Sequence, residues 1–135
     1  MKRLKPYKQI KRKEFYRSLD YGPYMYCEWM EIKNLSSRRF RYGNPKRDMT
    51  PTPCIMKIIS KNCIESIYEK HDDTWRYTTD KGMGLLDRYL WQNKFFFRRH
   101  QLWNLFCNDR IRNVIVMKRQ QFMEKYFLDI IIDLW

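Results

Sequence analysis

The densest chemistry in the chain lies in Lys94-Phe95-Phe96-Phe97-Arg98-Arg99-His100-Gln101-Leu102-Trp103, continued by Arg110, Arg112, Lys118 and Arg119. Guanidinium groups match phosphate oxygens through paired hydrogen bonds, and aromatic rings either anchor an element on its neighbours or stack on unpaired bases. On a helix, Arg99 and Trp103 share a face, and so do Phe95, Arg98 and Leu102. The bland alternative is a solvated charged face over an ordinary core stripe. Histidine is the side-chain type suited to acid/base work at neutral pH, but no Ser, Cys or carboxylate stands at a suggestive spacing from His100. With Arg98 and Arg99 adjacent, it reads as a packed or phosphate-contacting side chain rather than a general base. Asp72-Asp73 resembles an acid/base or metal-binding pair only superficially and reads as a turn. Gly82-Met83-Gly84 is too short for a nucleotide loop. Cys27, Cys54, Cys63 and Cys107 contain no close pair, and His71 and His100 complete no zinc-ligand spacing, so neither metal, cofactor nor disulfide is expected.

A partner for so many cations follows from composition. The 135 residues carry 28 Lys and Arg against 15 Asp and Glu, a net charge of +13. That excess repels itself in a free compact monomer and is best tolerated beside a polyanion, either nucleic acid or an anionic membrane surface. Aromatic residues make up 17% of the chain, which sets it apart from a disordered basic tail. Charge is also segmented: net +9 over 1–48, −1 over 49–87, +7 over 88–119 and −2 over 120–135. Two RNA-facing surfaces alternating with two protein-facing ones are expected. No run approaches the roughly 18 to 20 apolar residues that span a bilayer. The start, although basic, lacks the apolar stretch of a secretory signal, so import would use an uncleaved signal or the gene would lie inside the organelle.

The elements expected to position these residues are mainly α. Residues 1–48 read as an extended basic arm broken by Gly22-Pro23 and Gly43-Asn44-Pro45, with room for a short helix around Gln9 to Leu19. The arm is expected to lack a core of its own, and Lys11, Arg12, Lys13, Arg38, Arg39 and Arg41 are its candidate phosphate contacts. Within 49–84, the near-helical recurrence of Ile55, Ile58, Ile59, Cys63 and Ile67 after Pro51 and Pro53 predicts a helix over 54–70, capped by Thr52, followed by a polar loop. From Leu85 to Trp135 there is no Gly or Pro, which predicts one long helix or a helical hairpin over 85–135. In it Lys94, Arg98, Arg99, His100, Arg110, Arg112, Lys118 and Arg119 would meet RNA while Phe96, Leu102 and Trp103 anchor the packing. The apolar end, Phe122 to Trp135, must be buried in the fold or docked on a partner.

The pattern Lys94-x-Phe96-x-x-x-His100-Gln101-Leu102-Trp103, followed by Asp109-Arg110 and Asn113, resembles the signature of mitochondrial members of ribosomal large-subunit protein family twenty-nine. The resemblance covers roughly 20 to 25 residues, within a chain long enough for one domain. It implies a helical hairpin lying on ribosomal RNA near the exit of the peptide tunnel, with no catalytic role. The expected function is therefore a structural constituent of a mitochondrial ribosome, of its large subunit, acting in the matrix. Its partners would be ribosomal RNA and neighbouring ribosomal proteins, with no small-molecule substrate. An accessory subunit of a mitochondrial inner-membrane respiratory complex is the alternative, favoured if basic and aromatic residues line a lipid headgroup plane. An RNA-modifying enzyme would need a nucleophile, base and phosphate loop that the chain does not display.

Overall fold

The computed structural model describes residues 1–32, 49–77 and 96–130. Their strands are β1 (Lys2–Arg3), β2 (Tyr24–Ile32), β3 (Met49–Ser60), β4 (Cys63–His71), β5 (Thr74–Tyr77), β6 (Phe96–Phe97) and β7 (Ile111–Met117). The helices are α1 (Arg12–Leu19), α2 (Arg99–Cys107) and α3 (Arg119–Phe122), the last continuing through a π-helical turn at Met123–Phe127 to residue 130. The strands form one antiparallel sheet in the order β1-β7-β2-β3-β4-β5, and β6 pairs with β4. The fold is thus mixed α/β, and the mainly α architecture expected above is overturned.

Strand alternation sorts side chains onto two faces. Along β2, Met25, Cys27 and Trp29 point one way, toward a core completed by Phe15 and Leu19 of α1 and Leu102 and Phe106 of α2. Tyr24 and Tyr26 point the other way and meet Phe122 and Tyr126, with ring centroids 4.1 and 5.5 Å apart respectively. Ile55, Trp75, Ile115, Met117 and Ile130 complete that second core. The sheet is therefore sandwiched, with α1 and α2 on one side and the α3 segment on the other. The apolar C-terminal stretch, as far as residue 130, packs in the protein's own fold.

Four local readings are corrected, the first being the polar loop expected up to residue 84, within which Thr74–Tyr77 forms β5 with Trp75 buried. The helix expected over 54–70 is the β3–β4 hairpin, in register from Cys54↔Glu69 to Ser60↔Cys63, with Thr52 buried inside β3. Pro51 and Pro53 lie where β3 pairs with β2, and its register with β4 begins only at Cys54, so a missing N–H is tolerated there. The long helix or hairpin over 85–135 is, within the described residues, β6, α2, β7 and α3 in succession. Asp109 adopts φ 61° at the end of α2, a left-handed turn that needs no glycine. The extended arm, over residues 1–32, contains β1, α1 and β2 and places Phe15, Met25 and Cys27 wholly out of solvent. The short helix for which Gln9 to Leu19 had room is α1.

The molecule's corner at the end of α1 depends on one glycine. A Cβ on Gly22 would sit 2.1 Å from the Met117 carbonyl oxygen and 2.7 Å from the Lys118 nitrogen. Only a residue without a side chain lets the α1–β2 turn pass so close to the β7–α3 junction.

Candidate nucleic-acid interface

Helices α1 and α2 run antiparallel along the first face. Phe15 packs on Phe106 and Trp103, with centroids 5.2 and 5.4 Å apart, while Tyr7, ahead of α1, meets Phe106 near the end of α2. The start of α2 therefore lies beside the end of α1, and the guanidinium of Arg99 sits over the Tyr16 ring, 4.5 Å from its centroid. The start of α3 reaches the same corner from the other side. There Lys118 lies over the Tyr21 ring at 5.3 Å, and Gln121 Nε2 donates to the Tyr21 hydroxyl at 3.3 Å. Gln121, the amino-terminal ammonium group and Lys118 hold the Tyr21 phenol below its ordinary pKa. Two cation–tyrosine pairs thus bracket the Tyr16–Pro23 corner, with Arg98 and Arg119 exposed next to them. Such contacts hold a cation in a defined place while its outer face stays available to an anion.

Neither helix start neutralises its own charge. Arg98 and Lys118 occupy the position where Ser, Thr, Asp or Asn usually caps, and a cation has no acceptor to offer. Instead the glutamine three residues on accepts from the capping residue's own N–H, Gln101 Oε1 at 2.8 Å and Gln121 Oε1 at 2.9 Å. Positive charge at the positive end of a helix dipole is unfavourable until an anion arrives.

The structure divides the expected RNA contacts. Arg98, Arg99, Lys118 and Arg119 gather at this corner, with His100 exposed on the second residue of α2. Arg110 and Arg112 lie beyond the far end of α2, where the Arg112 guanidinium is held by both carboxylate oxygens of Asp109, Nε donating at 2.6 Å to Oδ1. That bond pushes the Arg112 pKa up and satisfies much of its charge locally. Lys11, Arg12 and Lys13 are exposed at the start of α1. Lys94, Arg38, Arg39 and Arg41 lie outside the described residues. Of the packing anchors, Leu102 is fully buried and Trp103 packs on Phe15, but Phe96 is 48% exposed and its neighbour Phe97 carries the packing. Tyr16, Tyr21 and Lys61 escape a reading of the sequence alone, although the repeated pattern of a cation, Arg, any residue and Gln at 98–101 and 118–121 is visible in it.

A second cluster tests the catalytic alternative. Cys27 and Cys54 are cross-strand neighbours, both wholly buried, and Glu69 faces Cys54 from β4. His71 Nε2 lies 3.3 Å from Glu69 Oε2. Nucleophilic chemistry needs a thiolate, yet burial, the hydrogen bond with Cys27 and the Glu69 charge all drive the Cys54 thiol well above its ordinary pKa. Its Sγ instead donates to the Thr52 carbonyl at 3.3 Å. This is a packed, protonated thiol. No three His, Cys, Asp or Glu side chains among the described residues are placed to share a metal ion. No helix among them is long and apolar enough to cross a membrane. Comparison with protein-family models, with curated proteins and with solved structures finds no match to the chain.

Proposed function

We propose that the protein is a non-catalytic RNA-binding constituent of a ribosome, holding ribosomal RNA by its phosphates in the mitochondrial matrix. The observation that carries the RNA reading is the pair of cation–tyrosine contacts, Arg99 on Tyr16 and Lys118 on Tyr21, on either side of one corner. Together with Arg98 and Arg119 they offer four cations to a phosphate backbone, on elements fixed by the core. Assignment to the large subunit of a mitochondrial ribosome rests on the resemblance over residues 94–113. The hairpin which that resemblance implies is not this fold, so the proposal retains the RNA partner and not that family's way of docking.

Salt titration of the full chain against a ribosomal RNA hairpin tests the reading. Removing one cation from a phosphate should lower the magnitude of the log-affinity against log-salt slope by about 0.7 to 0.9. The Arg99→Gln, Lys118→Gln double variant should therefore reduce it by about 1.4 to 1.8, whereas Arg112→Gln, already paired with Asp109, should reduce it less. An unchanged slope in the double variant, or binding to anionic vesicles in place of RNA, would overturn the proposal and favour a membrane-complex subunit.

A further inference from the structure

Between the end of α1, the tip of the β3–β4 hairpin and the start of α2 lies an open cavity of about 540 Å³. That volume is within the roughly 300 to 1,000 Å³ of small-ligand sites. Its walls are of two kinds. Pro23, Ile58 and Ile59 supply accessible apolar surface over the buried Leu19 and Ile64, while Arg99 and Lys61 bring two cations against one carboxylate, Asp20. Tyr16, with the Arg99 guanidinium across its ring, forms one side as a planar stack.

We infer that this cavity receives one unstacked nucleotide of a bound RNA strand, an inference that rests on the RNA-binding reading above. Its base would lie against Ile58, Ile59 and the Tyr16–Arg99 stack, and its phosphate against Arg99 and Lys61. The mixture of walls selects this occupant. An isolated phosphate leaves the apolar surface unused, and an uncharged apolar ligand leaves two cations against one carboxylate. A nucleotide satisfies both halves. Single-stranded RNA is held in this way elsewhere in nature, bases stacked on aromatic or guanidinium planes and phosphates on cations, whereas a duplex keeps its bases stacked and cannot enter. The site prefers single strands over duplex, with little base preference because its apolar walls carry few groups that read base edges.

The test uses the full chain with uridine and adenosine 5′-monophosphates followed by amide NMR, and a short oligouridine against a blunt RNA duplex in binding assays. Both monophosphates should give saturable shifts at residues 16–23, 58–64 and 99, and uridine without its phosphate should bind more weakly. Ser60→Trp, at an exposed position on the cavity wall, should weaken oligouridine binding roughly tenfold while leaving duplex affinity within about twofold. If neither monophosphate shifts those amides, or if Ser60→Trp weakens single strand and duplex equally, the nucleotide site is wrong while the phosphate-binding reading stands. If the parent binds neither RNA in a salt-dependent way, the underlying reading falls and the inference with it.

Discussion

Replacing Gly22 by alanine probes the close approach that places the two halves of the basic corner against each other. The added Cβ would meet the Met117 oxygen at 2.1 Å, with the Met117 carbon at 2.5 Å and the Lys118 nitrogen at 2.7 Å. All three are backbone atoms of the β7–α3 junction, so no side-chain rotation relieves the clash. Ordinary packing would require the strands to part by about 1 Å, and overpacking of that kind costs typically 1–3 kcal/mol. The junction is anchored by Met117, fully buried opposite Tyr24, so the turn rather than the strand should yield. For a chain of this size each kcal/mol moves the melting temperature by about 3–5 °C, giving a fall of roughly 3–15 °C. Because the displaced turn carries Tyr21 away from Lys118, the RNA salt slope should also drop by the equivalent of up to about one phosphate, 0.7 to 0.9. Urea denaturation with an unchanged m value is the assay. A midpoint equal to that of the parent would refute the close approach, and with it the idea that the two cation–tyrosine pairs share one rigid corner.

Phe15→Ala should destabilise by about 3–5 kcal/mol, since the ring is fully buried between α1 and α2 and stacked on Phe106; a loss under about 1 kcal/mol in chemical denaturation would contradict the packing. Burial raises the phenol pKa of Tyr26, Tyr68 and Tyr126, so above an unfolded value of about 10 the unfolded chain binds fewer protons and stability falls as pH rises. Tyrosinate absorbance should show Tyr21 ionising first and those three later, Tyr26 last; ionisation of Tyr26 as early as Tyr21 would be the contrary result. Under native conditions a thiol reagent should reach the half-exposed Cys63 and Cys107 well before Cys27 and Cys54, which should react only on unfolding. Mass spectrometry of partly alkylated protein reads the order directly.

How much of this is legible in the sequence depends on which signals are unambiguous. The helix in Gln9–Leu19 and the turn at Asp72-Asp73 can be read. The latter is a two-residue hairpin turn with φ of 51° and 61°, and Asp is among the few non-glycine residues that tolerate it. The hairpin of β3 and β4 cannot, because Cys54 and Met56 face one core while Ile55 faces the other. A strand buried on both faces loses its alternation and reads as a continuous apolar run, which a helical template also accepts. The segment Ile111–Met117 misleads differently. Absence of Gly and Pro permits a helix, yet Asp109 and Asn113, at φ 61° and 51°, make the bends, and the β-branched run Val114-Ile115-Val116 favours a strand. Propensity alone is a weak guide where tertiary pairing decides.

The candidate site is legible in charge but not in geometry, and the reason lies in how its helices begin. Lys11-Arg12-Lys13-Glu14, Arg98-Arg99-His100-Gln101 and Lys118-Arg119-Gln120-Gln121 place at least two cations at the start of each described α-helix and a carboxylate or amide three residues after the capping position. A chain selected for helix stability alone would put Ser, Thr, Asp or Asn at those caps and acids in the first turn. Each cation in such a place costs about 0.3–1 kcal/mol, and the Gln side chains at 101 and 121 recover part by satisfying the capping N–H groups. A phosphate drawn to the same spot would meet the cation and the helix dipole together, so an arrangement unfavourable in the free protein would become favourable in a bound one. In sequence the stretches at 98–101 and 118–121 look like parts of one long helix or a helical hairpin over 85–135; folded, they are the separate starts of α2 and α3.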